Sequence, residues 1–123
     1  MSRITQKFGW RRARSLGVAH EKGNFRDYKK HRLEEGSLPD QQSGQMDFLN
    51  NDVGIQIGKD HLSADCQELS KIIIDYILEG KLFKIKKNKF GVFLKCNNEP
   101  IIETEIMGKW ENQKCIVPSN FKK

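Results

Sequence analysis

The spacing of apolar residues changes at Gly80, and this change restricts the chain to a mixed fold. Before Gly80, apolar residues recur every three or four positions, which is the spacing of amphipathic helices. After Gly80, short runs of β-branched and aromatic residues alternate with polar turns, which is typical of strands. The chain of 123 residues has the length of one domain. We therefore predict a single α+β domain over residues 1–123, with about three helices packed against a small antiparallel β-meander at the C-terminal end.

Three helices are predicted before Gly80. The first is expected to end near Gly23, because glycine often stops a helix. Ser63 is a natural N-cap for the third, and Gly80 is its predicted stop. Residues 23–45 are polar and contain several glycines, so we predict a long connecting segment there. The predicted helices cover about residues 6–20, 46–58 and 63–80.

The strand signals after Gly80 predict a hairpin, one further strand and a packed tail. The hairpin pairs residues 82–85 with residues 90–94 across a lysine-rich turn. The third strand covers residues 101–106 and follows an Asn-Asn-Glu-Pro turn. Apolar side chains at Ile116 and Val117 indicate that the tail packs back onto the domain.

Cysteine usage and hydropathy both bear on the compartment. Cys66, Cys96 and Cys115 form no CxxC pair, and an odd number of cysteines cannot be fully paired within one chain. We predict free thiols in the reducing cytoplasm, with a Cys96–Cys115 disulfide as the alternative. The longest aliphatic run, residues 72–74, is far shorter than the roughly 18 residues that cross a bilayer, so no membrane span is expected.

The net charge of +6 is unevenly distributed along the chain. Lys and Arg are in excess in residues 1–45 and 81–123, whereas residues 46–80 are acidic. In one interpretation the acidic segment pairs with the basic flanks inside the fold, at about 0–1 kcal/mol for each surface pair. In the other, unpaired basic side chains attract the phosphates of an anionic partner such as nucleic acid.

Lysines alternate with phenylalanines in residues 81–95. Such a tract can hold a phosphate backbone while its aromatic rings stack on bases. It can equally form a hairpin with an apolar inner face and a lysine-rich outer face that prevents edge pairing. The nucleic-acid-binding residues of the first interpretation are Lys84, Lys86, Lys87 and Lys89.

Five polar residues form the strongest candidate catalytic site. His20, Glu21 and Asp47 are of the types that bind a divalent metal or transfer protons. Asn50 and Asn51 follow Asp47 by about one helical turn, where an amide can orient a substrate or a carboxylate. The alternative is a structural polar clasp, in which these side chains only hydrogen-bond between helices.

Two glycines on the predicted second helix, Gly54 and Gly58, have a structural interpretation. A glycine in a helix interior costs about 1 kcal/mol relative to alanine, so a compensating contact is expected. We predict that the first two helices cross closely at Gly54, while Gly58 alternatively marks the helix end.

Two segments resemble a known family. Ala19-His20-Glu21 is followed at residues 46–58 by Met-Asp-Phe-Leu-Asn-Asn-Asp-Val-Gly-Ile-Gln-Ile-Gly. This combination resembles a bacterial domain of unknown function that occurs at the C termini of polymorphic toxins and in small standalone or phage-borne proteins. The family pattern has His-Glu ending a helix, then Met-Asp-x-x-Asn-Asn-x-x-Gly, and the match covers about residues 10–85. The family usually has a histidine within x-x, where this chain has Phe48 and Leu49.

The resemblance implies a toxin-type effector domain, or a standalone relative, that acts on an anionic target, with nucleic acid as the leading substrate. His20, Glu21, Asp47 and Asn51 would lie at its centre, and a divalent metal would be the cofactor if the site uses one. A cognate immunity protein would be a partner, and delivery into a target-cell cytoplasm is implied. The competing class is a non-catalytic interaction protein, immunity-type or phage-borne, that contains only the polar clasp.

Overall fold

A computed structural model describes residues 1–29, 40–102 and 109–122 of the chain. These residues form four helices and one two-stranded antiparallel sheet, so the predicted α+β class is confirmed with one helix more than expected. Within the three described ranges, no helix combines the length and the apolar character needed to cross a bilayer. The elements are α1 (Ser2–Phe8), α2 (Trp10–Lys29), α3 (Gln41–Asp60), α4 (Cys66–Leu78), β1 (Phe83–Ile85) and β2 (Ile116–Pro118).

The predicted first helix is wrong at both ends. Gly9 separates α1 from α2 and has a φ of 88°, a left-handed value that glycine adopts without strain. Gly23, the predicted stop, lies inside α2. The helix continues because its last turns carry Phe25 and Tyr28, whose rings lie 4.8 and 5.3 Å from the ring of Trp110. Packing against a distant segment therefore outweighs the local preference of glycine for a helix end.

α3 begins before its predicted start because Asp40 caps it. The Asp40 carboxylate accepts a hydrogen bond of 2.8 Å from the backbone N–H of Ser43. The backbone N–H of Gln41, the first residue of α3, donates to the carbonyl of Trp110 over 2.8 Å. The predicted connection 23–45 is thus shortened at both ends, and its remaining part, residues 30–39, lies outside the described residues.

α4 has the predicted stop but a different cap. Asp65, not Ser63, accepts a hydrogen bond of 2.9 Å from the backbone N–H of Glu68 at its start. Gly80 has a φ of 78° and ends the helix as predicted, with the N–H of Lys81 donating to the carbonyl of Tyr76 over 2.9 Å.

The strand partner of β1 is the tail and not the nearby segment 90–94. The register of the sheet is Phe83 opposite Pro118, Lys84 opposite Val117 and Ile85 opposite Ile116. This confirms that the tail packs back. The predicted hairpin is reduced to single bridges, which join Lys87 to Phe93 and Leu94 to Pro100. Residues 103–106 of the predicted third strand lie outside the described residues, and residues 101–102 are not in a strand.

The pairing of the tail with β1 places two cysteines together. Cys96 and Cys115 form a disulfide with their Cα atoms 5.1 Å apart, so the expectation of free thiols is wrong for this pair and its alternative is correct. Cys66 is a free, exposed cysteine. Lys86 follows β1 directly, and its backbone N–H donates to the carbonyl of Cys115 over 2.8 Å. This hydrogen bond continues the sheet to the disulfide.

The close contact predicted at Gly54 is present, but its partner is α1. A Cβ atom on Gly54 would lie 3.1 Å from Cβ of Met1. The contact is tighter at Gly58, where a Cβ would lie 2.6 Å from the carbonyl oxygen of Ser2 and 2.7 Å from Cβ of Thr5. The two glycines therefore let α1 lie directly on the backbone of α3.

Gly58→Ala is expected to lower the free energy of unfolding by about 1–3 kcal/mol, because the added methyl group overlaps α1. Gly23→Ala is the matched control, since a Cβ there has nothing within 4 Å. Without that overlap, alanine should stabilise the helix by about 0.5–1 kcal/mol. Urea denaturation of both variants measures the difference, and equal stabilities would contradict the tight contact between α1 and α3.

Candidate functional site

His20 and Glu21 on α2 lie opposite Asp47 on α3. One imidazole nitrogen of His20 and one carboxylate oxygen each of Glu21 and Asp47 lie within 4.8 Å of one another. His20 is exposed, whereas Glu21 and Asp47 are half-buried between the helices. The structure thus brings together three of the five residues predicted for the site. We call these three residues the His-Glu-Asp cluster.

Two glycines allow α2 and α3 to approach closely at the cluster. Gly44 is buried, and a Cβ atom on it would overlap the carboxylate of Glu21. Gly17 is also buried, and a Cβ on it would lie 3.2 Å from the amide nitrogen of Asn51. Neither glycine was predicted to lie at the site. The available signal was their position, since each precedes a cluster residue by about one helical turn on the same face.

The electrostatics of the cluster centre on Asp47. Burial raises the pKa of Asp47 above its ordinary value, and the charge of a protonated His20 acts in the opposite direction. A half-buried carboxylate is less well solvated than an exposed one, and this disfavours its charged form. The cluster is therefore a place where a neighbouring positive charge is favourable.

The side chain of Asn50, which was predicted to be catalytic, hydrogen-bonds to strand β1. Its side-chain oxygen accepts a hydrogen bond of 2.8 Å from the backbone N–H of Phe83, and its amide nitrogen donates over 3.1 Å to the Phe83 carbonyl. These bonds tie α3 to β1. Asn51, the next residue, instead packs against α2 beside the cluster. Of the two asparagines, only Asn51 remains next to the candidate site.

The four lysines predicted to bind nucleic acid do not form one continuous surface. Lys86 is only 5% exposed, its ammonium group donates over 3.3 Å to the Cys96 carbonyl, and the same group lies 5.1 Å from the ring centre of Phe121. Lys86 is therefore buried and engaged within the protein, and its predicted contact with phosphate stays a prediction. Lys84 is exposed, but its ammonium group donates to the Phe121 carbonyl over 2.9 Å.

The two remaining lysines of that set, Lys87 and Lys89, are exposed. Lys87 lies 4.8 Å from the ring centre of Phe93, and Lys89 lies 5.1 Å from that of Phe90. Phe90 is 78% exposed, so one aromatic ring of the tract does face solvent. Only these two lysines keep the arrangement that was predicted for binding nucleic acid.

A second basic surface is formed by exposed side chains of α1 and α2, and none of them was predicted to belong to the site. Phe8 and Trp10 are exposed in it by 57% and 41%, and the guanidinium of Arg11 lies 5.4 Å from the Trp10 ring centre. Residues 1–29 hold only two acidic side chains. We call this the α1–α2 basic surface, and its eight exposed cations are Arg3, Lys7, Arg11, Arg12, Arg14, Lys22, Arg26 and Lys29.

A shallow depression of about 370 Å³ adjoins the cluster. Glu21 lies in its wall together with Phe48, one of the two residues that stand where the resembled family usually has a histidine. The remaining lining comes from α2 and is partly apolar. Phe48 thus gives an apolar boundary to the cluster on this side. The other lining residues are Val18, Lys22 and Phe25.

Comparison of the chain with protein family models, with curated proteins and with solved structures finds no match. The resemblance to the toxin-associated bacterial domain therefore depends on the sequence pattern over about residues 10–85.

Proposed function

We propose that this protein is a toxin-type bacterial effector domain, or a standalone relative, and that its anionic target is nucleic acid. One observation carries the proposal: His20 and Glu21, two of the three residues of the His-Glu-Asp cluster, lie on α2, the helix that also carries most of the α1–α2 basic surface. Reactive groups and groups that attract phosphate are thus supplied by the same helix. Its activity would be exerted in a bacterial cytoplasm, either of the producing cell or of a target cell.

The cluster supplies the groups that hydrolysis of a phosphodiester requires. A water oxygen forms a bond to phosphorus, the bond from phosphorus to the leaving oxygen breaks, and the proton lost by the water is balanced by one gained at the leaving oxygen. An imidazole and two carboxylates include groups that accept and donate protons near neutral pH. Because His20 is exposed, a large polymer can reach it without entering a deep cavity.

The α1–α2 basic surface favours nucleic acid over a small anion. Eight exposed cations spread over two helices match a repeating phosphate chain better than a single charged group. Exposed aromatic rings among them, Phe8 and Trp10, offer faces for base stacking. The combination of cations and aromatic rings was predicted for residues 81–95, but it is more fully developed here.

The second candidate function is that of a non-catalytic interaction protein. It is favoured by α4, which leaves Ile74, Ile77 and Leu78 exposed by 55%, 41% and 70%. Contiguous exposed apolar side chains commonly mark protein contacts. In this class the His-Glu-Asp cluster is part of the polar clasp and performs no chemistry. In the toxin class the same face is a place for a cognate immunity protein.

Asp47→Asn separates the two classes. Induced in a bacterial cytoplasm, the unaltered protein is expected to arrest growth and to degrade cellular RNA or DNA. The Asn variant should reduce cleavage by the purified protein about 10²–10⁴-fold, because proton transfer at the cluster is lost. Asp52→Asn, on an exposed position of the same helix, is the matched control and should remain active. The measurements are growth curves, gel analysis of extracted nucleic acid, and circular dichroism to verify folding.

Harmless accumulation of folded protein, with intact nucleic acid in the cells, would contradict the effector proposal and support the interaction class. Full activity in a folded Asp47→Asn variant would contradict the role of the cluster.

A further inference from the structure

We infer that the His-Glu-Asp cluster binds one divalent transition-metal ion, with Zn²⁺ and Mn²⁺ as the fitting species. This deepens the function proposed above: the use of the ion in hydrolysis rests on that function, whereas its binding does not.

The separations within the cluster suit a shared ion. Ligand atoms bonded to a metal at about 2.0–2.2 Å lie about 3–4.4 Å from one another in tetrahedral or octahedral arrangements. The candidate atoms of His20, Glu21 and Asp47 already lie within 4.8 Å of one another. Binding of a shared ion would bring these atoms slightly closer together.

The types of ligand select the class of ion. Carboxylate oxygens alone suit Mg²⁺ and Ca²⁺, whereas an imidazole nitrogen favours transition metals. One imidazole with two carboxylates is a mixed set that matches Zn²⁺ and Mn²⁺. Three protein ligands also leave coordination positions open, which is the arrangement of catalytic and not of structural zinc sites.

The protein holds the ligands before an ion arrives. Glu21 lies against the backbone of α3 at Gly44, where any larger residue would displace its carboxylate. Asp47 is half-buried on the opposite helix, so the two negative groups are held close together in a partly desolvated place. A dication neutralises both charges at once and connects α2 to α3. Such preorganisation lowers the entropy lost when the ion binds.

The open side of the site is accessible. His20 is exposed, and Glu21 also faces the shallow depression beside Phe48. A bound ion would supply Lewis acidity, which lowers the pKa of a metal-bound water and offsets the charge of a substrate phosphate. The contribution of this chain is to position the three ligands.

Titration calorimetry on the full chain tests the inference. The background is Cys66→Ser, because the exposed thiol of Cys66 is itself able to bind Zn²⁺. Metal-stripped protein is titrated with Zn²⁺, Mn²⁺ and Mg²⁺. We expect one Zn²⁺ or Mn²⁺ per chain and at least about tenfold weaker binding of Mg²⁺. His20→Ala and Asp47→Asn should each weaken Zn²⁺ binding at least about tenfold, since a ligand is lost.

Matched controls show that the effect belongs to the cluster. His61→Ala and Asp52→Asn change the same residue types outside it and should retain the affinity. Thermal melts provide a second measurement, because an ion that binds only the folded state raises the Tm. That rise should be seen in the control variants and be lost in both cluster variants. The melts without metal also show whether each variant folds.

The outcomes distinguish this inference from the proposed function. Folded protein that binds neither Zn²⁺ nor Mn²⁺, or equal Zn²⁺ affinity in the cluster variants and the controls, would overturn the metal site even if Asp47→Asn abolishes toxicity. Mg²⁺ binding as tight as that of Zn²⁺ would overturn the choice of ion. Cluster-dependent Zn²⁺ binding by a protein that is harmless in cells and leaves nucleic acid intact would support the site and remove the proposed function.

Discussion

Asp40→Ala is expected to lower the free energy of unfolding by about 3–5 kcal/mol. Asp40 pairs with Lys114, and only 8% and 10% of the two side chains are exposed. Removing one partner of a buried ion pair leaves the other charge without compensation, which is strongly destabilising. Asp40 also caps α3 through the backbone N–H of Ser43, and loss of an N-cap costs about 0.5–2 kcal/mol within this total.

Urea denaturation at neutral pH measures this effect. The control is Glu79→Ala, which removes an ion pair to Lys81 whose two side chains are more than half exposed. An exposed pair is worth about 0–1 kcal/mol, so the control should differ little from the unaltered protein. Similar losses in the two variants would show that the Asp40–Lys114 pair does not hold α3 to the C-terminal segment.

The same pair predicts a dependence on pH. Burial by itself would raise the pKa of Asp40, but the hydrogen bonds from Lys114 and Ser43 and the charge of Lys114 outweigh it and hold that pKa below its ordinary value. A carboxyl group with a lowered pKa in the folded state stabilises the protein above its ordinary pKa, and this contribution is lost as the pH falls through the lowered one. The stability difference between the unaltered protein and Asp40→Asn should therefore shrink below about pH 4. A difference that stays constant down to about pH 2 would contradict the lowered pKa.

The parts of the fold that were predicted correctly depend on residues that are close together in the sequence. The presence of a helix at α4 and its stop at Gly80 follow from the spacing of apolar residues and from one backbone conformation, and both predictions are confirmed. The continuation of α2 through Gly23 depends on Trp110, which is far away in the chain. The choice of β2 as the partner of β1 likewise depends on a segment more than thirty residues away. Patterns of neighbouring residues do not predict contacts between segments that are far apart in the chain.

In the candidate site, too, some features follow from the local sequence and others depend on distant segments. His20, Glu21 and Asp47 were chosen by residue type and by a sequence resemblance, and they lie together. Asn50 and Asn51 are adjacent in sequence, yet neighbouring residues on a helix point about 100° apart. One therefore bonds to β1 while the other packs against α2. Spacing alone does not tell which of the two directions holds the site, because that depends on where the sheet lies.

Replacing both Cys96 and Cys115 with serine is expected to lower the free energy of unfolding by about 3 kcal/mol, because the disulfide closes a loop with a sequence separation of 19 and restricts the unfolded chain. Cys66→Ser is the matched control, since this cysteine is exposed and unpaired, and it should change stability by less than about 0.5 kcal/mol. Denaturation with and without dithiothreitol measures both effects. Reductant should bring the unaltered protein and the control down to the level of the double variant, which itself should not respond. A reductant effect that persists in the double variant would contradict this assignment.

The effects on stability of losing the disulfide and of losing Asp40 should be coupled, and this coupling can be measured. Cys115 is next to Lys114, so the disulfide restrains the same segment that Asp40 attaches to α3. Without either the disulfide or the Asp40–Lys114 ion pair, that segment is less ordered, and the remaining interaction stabilises it less. Combining Asp40→Ala with the double cysteine replacement should therefore cost less than the sum of the separate effects, by at least about 0.5 kcal/mol. Strict additivity would mean that the two links stabilise independent parts of the fold.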